Sequence, residues 1–282
     1  MKTYMMLTKP GIILGNVITT AAGFALASKG HFNVPLFLIT LLGLSLVIAS
    51  AGIFNNYLDR NADAKMERTK KRPFAQGLIN TPAALGLGAL LGLLGLGLLA
   101  AYANPLTAAV AFSGFFIYLV LYAFFKYRTF YGTLIGSLAG AVPPVVGYCA
   151  VSNQLDMGAW LLFAILVLWQ MPHFFAIAIY YFKDYSAASI PVLPVTRGFY
   201  VTKIHMIFYI IAFTAASALL YFTGYAGDIY LWIAVLLGLS WLALCCEGFR
   251  ISNEIAWARK MFYYSLVVIT LLSFGISMDT LP

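Results

Sequence analysis

The sequence predicts an all-α, polytopic membrane protein, with nine transmembrane helices bundled around a central cavity open to the cytoplasmic side. Three observations carry this. First, 62% of the 282 residues are hydrophobic and 9% are charged, where a soluble domain carries about 25% charged residues. Mean hydropathy is +0.91. Second, nine apolar stretches reach the ~20 residues that a spanning helix needs: about 11–28, 35–57, 83–102, 106–125, 133–151, 159–182, 201–222, 229–247 and 261–278. Third, with the N-terminus inside and the C-terminus outside, all of the 17 Lys and Arg except Lys29 fall on the inner face. That satisfies the positive-inside rule, and a missed span would scramble it. Period-2 alternation is absent, so helices rather than a barrel satisfy the backbone in lipid.

Span 1 is followed by no small-residue cleavage site and is expected to serve as its own anchor. Span 2 ends in the polar run Asn55-Asn56-Tyr57-Leu58-Asp59-Arg60-Asn61-Ala62-Asp63, followed by Glu67 and the basic segment Arg68 to Arg72. Spans 3 and 5 are rich in Gly; Gly136 and Gly140 make a small-xxx-small step suited to close packing. Pro143-Pro144 is expected to kink span 5 or end its regular ladder. Span 6 holds Gln170, Pro172 and His173 and runs into Lys183-Asp184-Tyr185, and His205 lies near the start of span 7. Cys149, Cys245 and Cys246 form no CxxC pair and read as packing residues. Residues 1–282 form a single integral-membrane domain on this reading. A weak repeat relates about 11–125 to 133–247, with 261–278 added as the ninth helix. The net charge of +8 reflects topology, and nucleic acid is not an expected partner.

The most informative feature is the end of span 2. Asn55, Asp59, Asp63 and Glu67 recur every fourth residue, on one helical face. Only nine residues of the chain are acidic, and three of them are here. Like charges at this spacing lie about 5–6 Å apart, and at an effective dielectric of ~20 they repel by roughly 3 kcal/mol per pair. Such a face calls for a cation. Two carboxylates and an amide oxygen suit Mg²⁺, which completes its shell with water and substrate phosphate. Asn55, Asp59 and Asp63 are therefore the candidate metal ligands, with Asp59 and Asp63 catalytic; solvated ion pairs with Arg60 and Lys65 are the plainer alternative.

A leaving diphosphate needs positive charge, and Arg suits bidentate phosphate contacts. Arg60, Arg68, Arg72, Lys126, Arg128 and Lys183 are candidates, although each also serves topology. Asp184, beside Lys183, is the carboxylate at the repeat-equivalent inner end of span 6, and both residues are candidate catalytic groups. An ionisable residue inside a membrane is a functional candidate by default. His173 is thus a candidate ligand for an iron porphyrin through a neutral imidazole, a hydrogen-bonded core histidine being the plainer alternative, with Gln170 beside it and His205 as a second candidate.

The pattern Asn55-xxx-Asp59-xxx-Asp63 resembles the first Asp-rich motif of the intramembrane prenyltransferase superfamily, whose members have nine helices. More narrowly, four stretches resemble the bacterial protohaem IX farnesyltransferases, or haem O synthases. They are Asn55-Asn56-Tyr57-Leu58-Asp59-Arg60 with Lys65-Met66-Glu67-Arg68-Thr69; Gly140-Ala141-Val142-Pro143-Pro144-Val145-Val146-Gly147; Leu168-Trp169-Gln170-Met171-Pro172-His173; and Phe182-Lys183-Asp184-Tyr185 leading to Ile190-Pro191-Val192-Leu193-Pro194. The chain departs from the wider superfamily at Asn56, where many members have Asp, and at Ala188, where many carry a second Asp; haem O synthases share the latter depletion.

The resemblance implies a Mg²⁺-dependent enzyme of the bacterial inner membrane. It would join farnesyl diphosphate to a vinyl group of haem B, with water addition, giving haem O and diphosphate. Terminal oxidase or haem-delivery assembly proteins would be its partners. Three other readings share parts of the pattern: a polyprenyltransferase for an aromatic quinone precursor, a secondary transporter, and a haem-binding assembly factor. The stretch from Gln170 to His173 argues against the first, and the clustering of acidic groups at one face argues against the second.

Overall fold

The computed structural model describes residues 2–281, with side chains from Tyr4 onward; the Lys2 side chain, counted above on the inner face, lies outside the described ones. Among the described residues nine helices are long and apolar enough to cross a bilayer. They are α1 (Pro10–Ser28), α2 (Val34–Leu58), α3 (Thr81–Ala103), α4 (Pro105–Phe125), α5 (Gly132–Ser152), α6 (Met157–Tyr180), α7 (Leu193–Phe222), α8 (Asp228–Glu247) and α9 (Glu254–Met278). Many starts are set by a short side-chain cap that satisfies one of the free N–H groups of the first turn. Asn33, Asn80, Asn104, Asp156 and Asn253 accept from Leu36, Ala83, Thr107, Ala159 and Ala256 respectively. Pro follows in the first turn of α2, α3 and α4, where its missing N–H costs nothing.

The helices form a ring. α1 packs on α5, α2 on α3, α6 on α7 and α9, and α9 closes back onto α1. The α1–α5 contact is backbone to backbone: a Cβ on Gly23 would lie 1.9 Å from the Pro144 carbonyl oxygen, and one on Gly147 2.1 Å from that of Thr20. Only glycine allows this approach. The ladder of α5 breaks at Ala141, giving segments Gly132–Gly140 and Val142–Ser152, as Pro143-Pro144 led one to expect.

Two starts differ from the hydropathy pattern. α7 begins at Leu193 rather than near 201, with a kink at Gly198 (φ 80°, ψ 172°). α9 begins at Glu254 rather than near 261. Hydropathy discounts these charged turns, but Lys203 of α7 donates to Glu254 at 2.7 Å and to the Gly248 carbonyl at 2.6 Å, which anchors the early start.

At the basic end the segments after α2 and α6 pack on each other. Met66 is buried with Ala188 and Ile190. The Asp184 carboxylate accepts the backbone N–H groups of Glu67 at 2.9 Å and Arg68 at 3.3 Å. α4 carries a π-helical stretch at Ile117–Tyr122, and such stretches recur at functional sites.

Candidate active site

α2 ends at Leu58, yet the chain keeps nearly helical spacing, because Asp59 N–H bonds to Asn55 and Asp63 N–H to Asp59. Asn55, Asp59 and Asp63 therefore do share a face, and all three are buried while lining one cavity of about 120 Å³. Glu67 leaves that face: its side chain is exposed and pairs with Lys70 at 2.6 Å.

The repulsion expected between the acids is met by three cations from three other segments. Lys126 lies 2.6 Å from Asp59, whose other oxygen accepts the Tyr127 hydroxyl at 2.7 Å. Arg72 bonds both oxygens of Asp63, at 2.9 and 3.1 Å. The amide oxygen of Asn55 accepts from Lys9 and, at 3.0 Å, from Tyr118. The amide nitrogen of Asn55 is buried without a partner.

This arrangement sets the ionisation of the site. Burial alone would raise the Asp59 pKa, but the Lys126 charge and its hydrogen bond outweigh it and hold the carboxyl below its ordinary value. Burial opposes the charge on Lys126 too, and Asp59 reverses the effect, so its pKa is raised. Lys9 has no such compensation. Burial first, and then the Arg72 charge, bring it down to about 7 despite Asp59.

Arg68 also lines the cavity, its guanidinium 4.7 Å from the Tyr181 ring. The other expected phosphate-binding residues are placed elsewhere. Arg60 folds back onto its own turn, bonding the Tyr57 carbonyl at 2.7 Å and lying over that ring. Arg128 stacks on Phe124 at 3.5 Å, and Lys183 is exposed. Neither lines the cavity. Both oxygens of Asp184 are engaged by the backbone of the 67–68 loop, so that it shapes the site through Arg68 rather than facing it.

Gln170 and His173 are buried in α6, away from this cavity. The Gln170 amide donates to the Ser137 and Leu166 carbonyls and locks α5 to α6, with Gly140 leaving room for it. His173 faces α9, where its Nδ1 meets the Ser265 hydroxyl at 2.6 Å. His205 is exposed on α7 against Phe175. The two histidines are not brought together.

Sequence reasoning missed Lys9 and Tyr127 as members of the site. Lys9 is legible only as a lone cation before Pro10; its left-handed backbone (φ 53°) emerges from the fold. Tyr118 and Tyr122 stack at 5.5 Å within the π-helical stretch and line the cavity together.

A family model described as the UbiA prenyltransferase family matches residues 16–267. A protoheme IX farnesyltransferase of Protochlamydia amoebophila is 53% identical over 276 residues, 98% of each chain. Another, from Cronobacter sakazakii, is 52% identical over 279 residues, covering 99% of this chain and 95% of its own. Among solved structures, one concerning digeranylgeranylglyceryl phosphate synthase matches with a TM-score of 0.79 at 20% identity, over 98% of both chains. A UbiA homolog from Archaeoglobus fulgidus bound to GPP and Mg²⁺ matches with a TM-score of 0.73 at 15% identity, over 98% of this chain and 99% of its own. The structural matches establish the common fold, and the family model with the full-length relatives establishes descent: this chain belongs to the UbiA prenyltransferase family.

Proposed function

We propose that the protein transfers a farnesyl group from farnesyl diphosphate to a vinyl group of haem B, with addition of water, releasing diphosphate and haem O. The observation that carries the reading is the ring of Lys9, Arg72 and Lys126 around Asn55, Asp59 and Asp63, in a protein 53% identical to a protoheme IX farnesyltransferase. The basic end is the cytoplasmic one in a bacterial inner membrane, and the whole chain acts as a single domain.

Mg²⁺ fits the donor set, which offers hard carboxylate and amide oxygens on one cavity wall. Asn55, Asp59 and Asp63 would hold it, and it supplies Lewis-acid charge toward the leaving diphosphate when bound. Lys9, Arg72 and Lys126, with Arg68, bind the phosphate oxygens and neutralise charge that grows as the C1–O bond breaks. Asp63 and Asp59 hold Arg72 and Lys126 in place beforehand, and Asn55 holds Lys9, which lowers the cost of ordering them. Tyr118 and Tyr122 line the cavity, where their rings would favour a cation-like C1. Met66 and Ile190 line the remaining wall with apolar surface and keep water from C1. The vinyl carbon then bonds to C1, water captures the cation left beside the pyrrole, and a proton departs to solvent. For haem B, His173 of α6 would be the residue to meet the iron, through a neutral imidazole.

Membranes carrying the protein, given farnesyl diphosphate, haem B and Mg²⁺, test this by mass spectrometry of extracted pigment. A haem heavier by a farnesyl group plus water is expected, and its loss in Asp59→Asn or Asp63→Asn assigns it to this site. Unchanged haem B with intact diphosphate would reject the haem acceptor.

A further inference from the structure

Every oxygen that Asn55, Asp59 and Asp63 could give a metal is engaged by a donor of the chain itself. Asn55 Oδ1 accepts from Lys9 and, at 3.0 Å, from the Tyr118 hydroxyl. Asp59 Oδ1 accepts the Tyr127 hydroxyl at 2.7 Å, and its Oδ2 accepts Lys126 at 2.6 Å. Both oxygens of Asp63 accept one Arg72 nitrogen, at 3.1 and 2.9 Å. A carboxylate keeps further lone pairs, but a divalent ion on them would stand only ~4 Å from a full positive charge. The wider cavity repeats this imbalance, since Lys9, Arg68, Arg72 and Lys126 line it against two carboxylates. A metal ion arriving alone meets an excess of like charge, whereas a diphosphate meets attraction.

We propose that Arg72 and Lys126 are exchangeable counter-ions of the acidic face. They pair with Asp63 and Asp59 until a prenyl diphosphate enters, pass to its phosphate oxygens, and so bare the carboxylates; divalent-metal binding is thereby conditional on the diphosphate. This rests on the reading above only for diphosphate as the substrate's head group. The exchange suits both side chains. Arg72 is partly exposed and carries a planar fork that matches phosphate as well as carboxylate. The Lys126 ammonium lies 5.4 Å and 5.3 Å from the ring centroids of Tyr122 and Tyr127, so its charge keeps aromatic support as its flexible stem swings. The consequence for the reaction is an order of assembly: the metal's charge is brought to the acidic face only when a leaving group is there to receive it.

The test uses the full chain in nanodiscs, with Mn²⁺ as the probe metal and farnesyl thiolodiphosphate, an unreactive analogue, as the probe anion. Metal retained with the protein is counted after ultrafiltration, and protein carrying both Asp59→Asn and Asp63→Asn serves as the blank. Expected in the wild type is an Mn²⁺ affinity about a hundredfold tighter with the analogue than without it. Lys126→Met should take up Mn²⁺ without the analogue, roughly tenfold or more tighter than the wild type does. Tyr127→Phe bares an Asp59 oxygen with no change of charge, and should leave the need for the analogue in place. Should Lys126→Met fail to fold, Arg72→Gln, at the more exposed pair, is expected to show the same gain. Equal Mn²⁺ affinity with and without the analogue in the wild type would overturn the inference. So would a need for the analogue that persists in Lys126→Met and Arg72→Gln, or a gain in Tyr127→Phe as large as theirs. An analogue that binds neither with nor without Mn²⁺ would overturn it together with the prenyl diphosphate reading, whereas failure of haem B as the acceptor shows only in the pigment assay.

Discussion

The side-chain amide of Asn56 donates to the main-chain oxygen of Leu7 at 2.9 Å, inside the protein. Leu7 is itself fully buried with Ile53, Phe74 and Ala84, and Gly52 allows its carbonyl to approach α2 closely. Two residues on, Lys9 turns through the left-handed region and enters the cavity. Asn56 is thus a tether that brings the N-terminal segment, and its cation, to the acidic face. A carboxylate here, common in the wider superfamily the chain resembles, would set two acceptors against each other.

Asn56→Asp should therefore weaken substrate binding more than chemistry. Unmaking a buried hydrogen bond costs about 1–3 kcal/mol. The loss should fall on the tether, with KM for farnesyl diphosphate raised about tenfold or more and kcat changed little. Steady-state kinetics in detergent, with the thermal midpoint as a folding control, checks this; an unchanged KM would mean that Lys9 reaches the cavity without the tether.

Substrate binding should take up a proton near neutral pH. Lys9 in the free protein titrates at about 7, so it is cationic below that pH and neutral above it. An anionic diphosphate favours the cation and raises this value in the complex. Affinity should then be flat below pH 7 and fall by up to tenfold per unit above it, since one unit is about 1.4 kcal/mol. Calorimetry in buffers of different ionisation enthalpy at pH 8 should register the uptake, and Lys9→Met should abolish it.

Removal of either acid should abolish turnover while leaving the ring's cations behind. Asp59→Asn and Asp63→Asn each remove a metal-binding charge, and a loss of about 10²–10³ in kcat is expected from comparable electrostatic groups. Asp59→Asn should also destabilise the fold more, because Lys126 is left deeper than Arg72 (side chains 13% and 30% exposed). Chelation of divalent metal should give the same silence in the wild type, reversed by Mg²⁺. Retention of full Mg²⁺-dependent activity in either variant would remove Asp59 and Asp63 from the mechanism.

Asp184 and its neighbour Lys183 should behave oppositely. Asp184→Asn loses an acceptor for the 67–68 backbone and should loosen that loop. Faster amide exchange over residues 65–72 and a drop in activity are expected. Lys183→Ala, at an exposed position, should change activity by no more than about twofold. The reverse order of effects would mean that Lys183 turns into the cavity when substrate is present.

Much of the fold was legible because its determinants are local and additive. Length of apolar run and the side of each basic residue are properties of contiguous residues, and they locate the spans closely. The first Asp motif was legible for the same reason: a spacing of four on a continuing helical backbone puts Asn55, Asp59 and Asp63 on one wall. The starts of α7 and α9 were less so, since the Lys203–Glu254 pair that supports the second is made 51 residues apart.

By itself, then, the sequence determined a nine-span helical bundle with a carboxylate face at its basic end. Tertiary structure alone decided which cations serve that face. Lys9 and Lys126 are 46 and 67 residues from their partners, while the nearer Arg60, one residue from Asp59, turns away onto Tyr57. Every inner-face Lys and Arg satisfies the same topological rule. Attraction between charges depends on distance in space, which only the packing of α1, α2 and α4 sets. The histidines divide for the same reason, one held inside by Ser265 and the other exposed on α7, although the sequence presents both as ionisable residues within apolar spans.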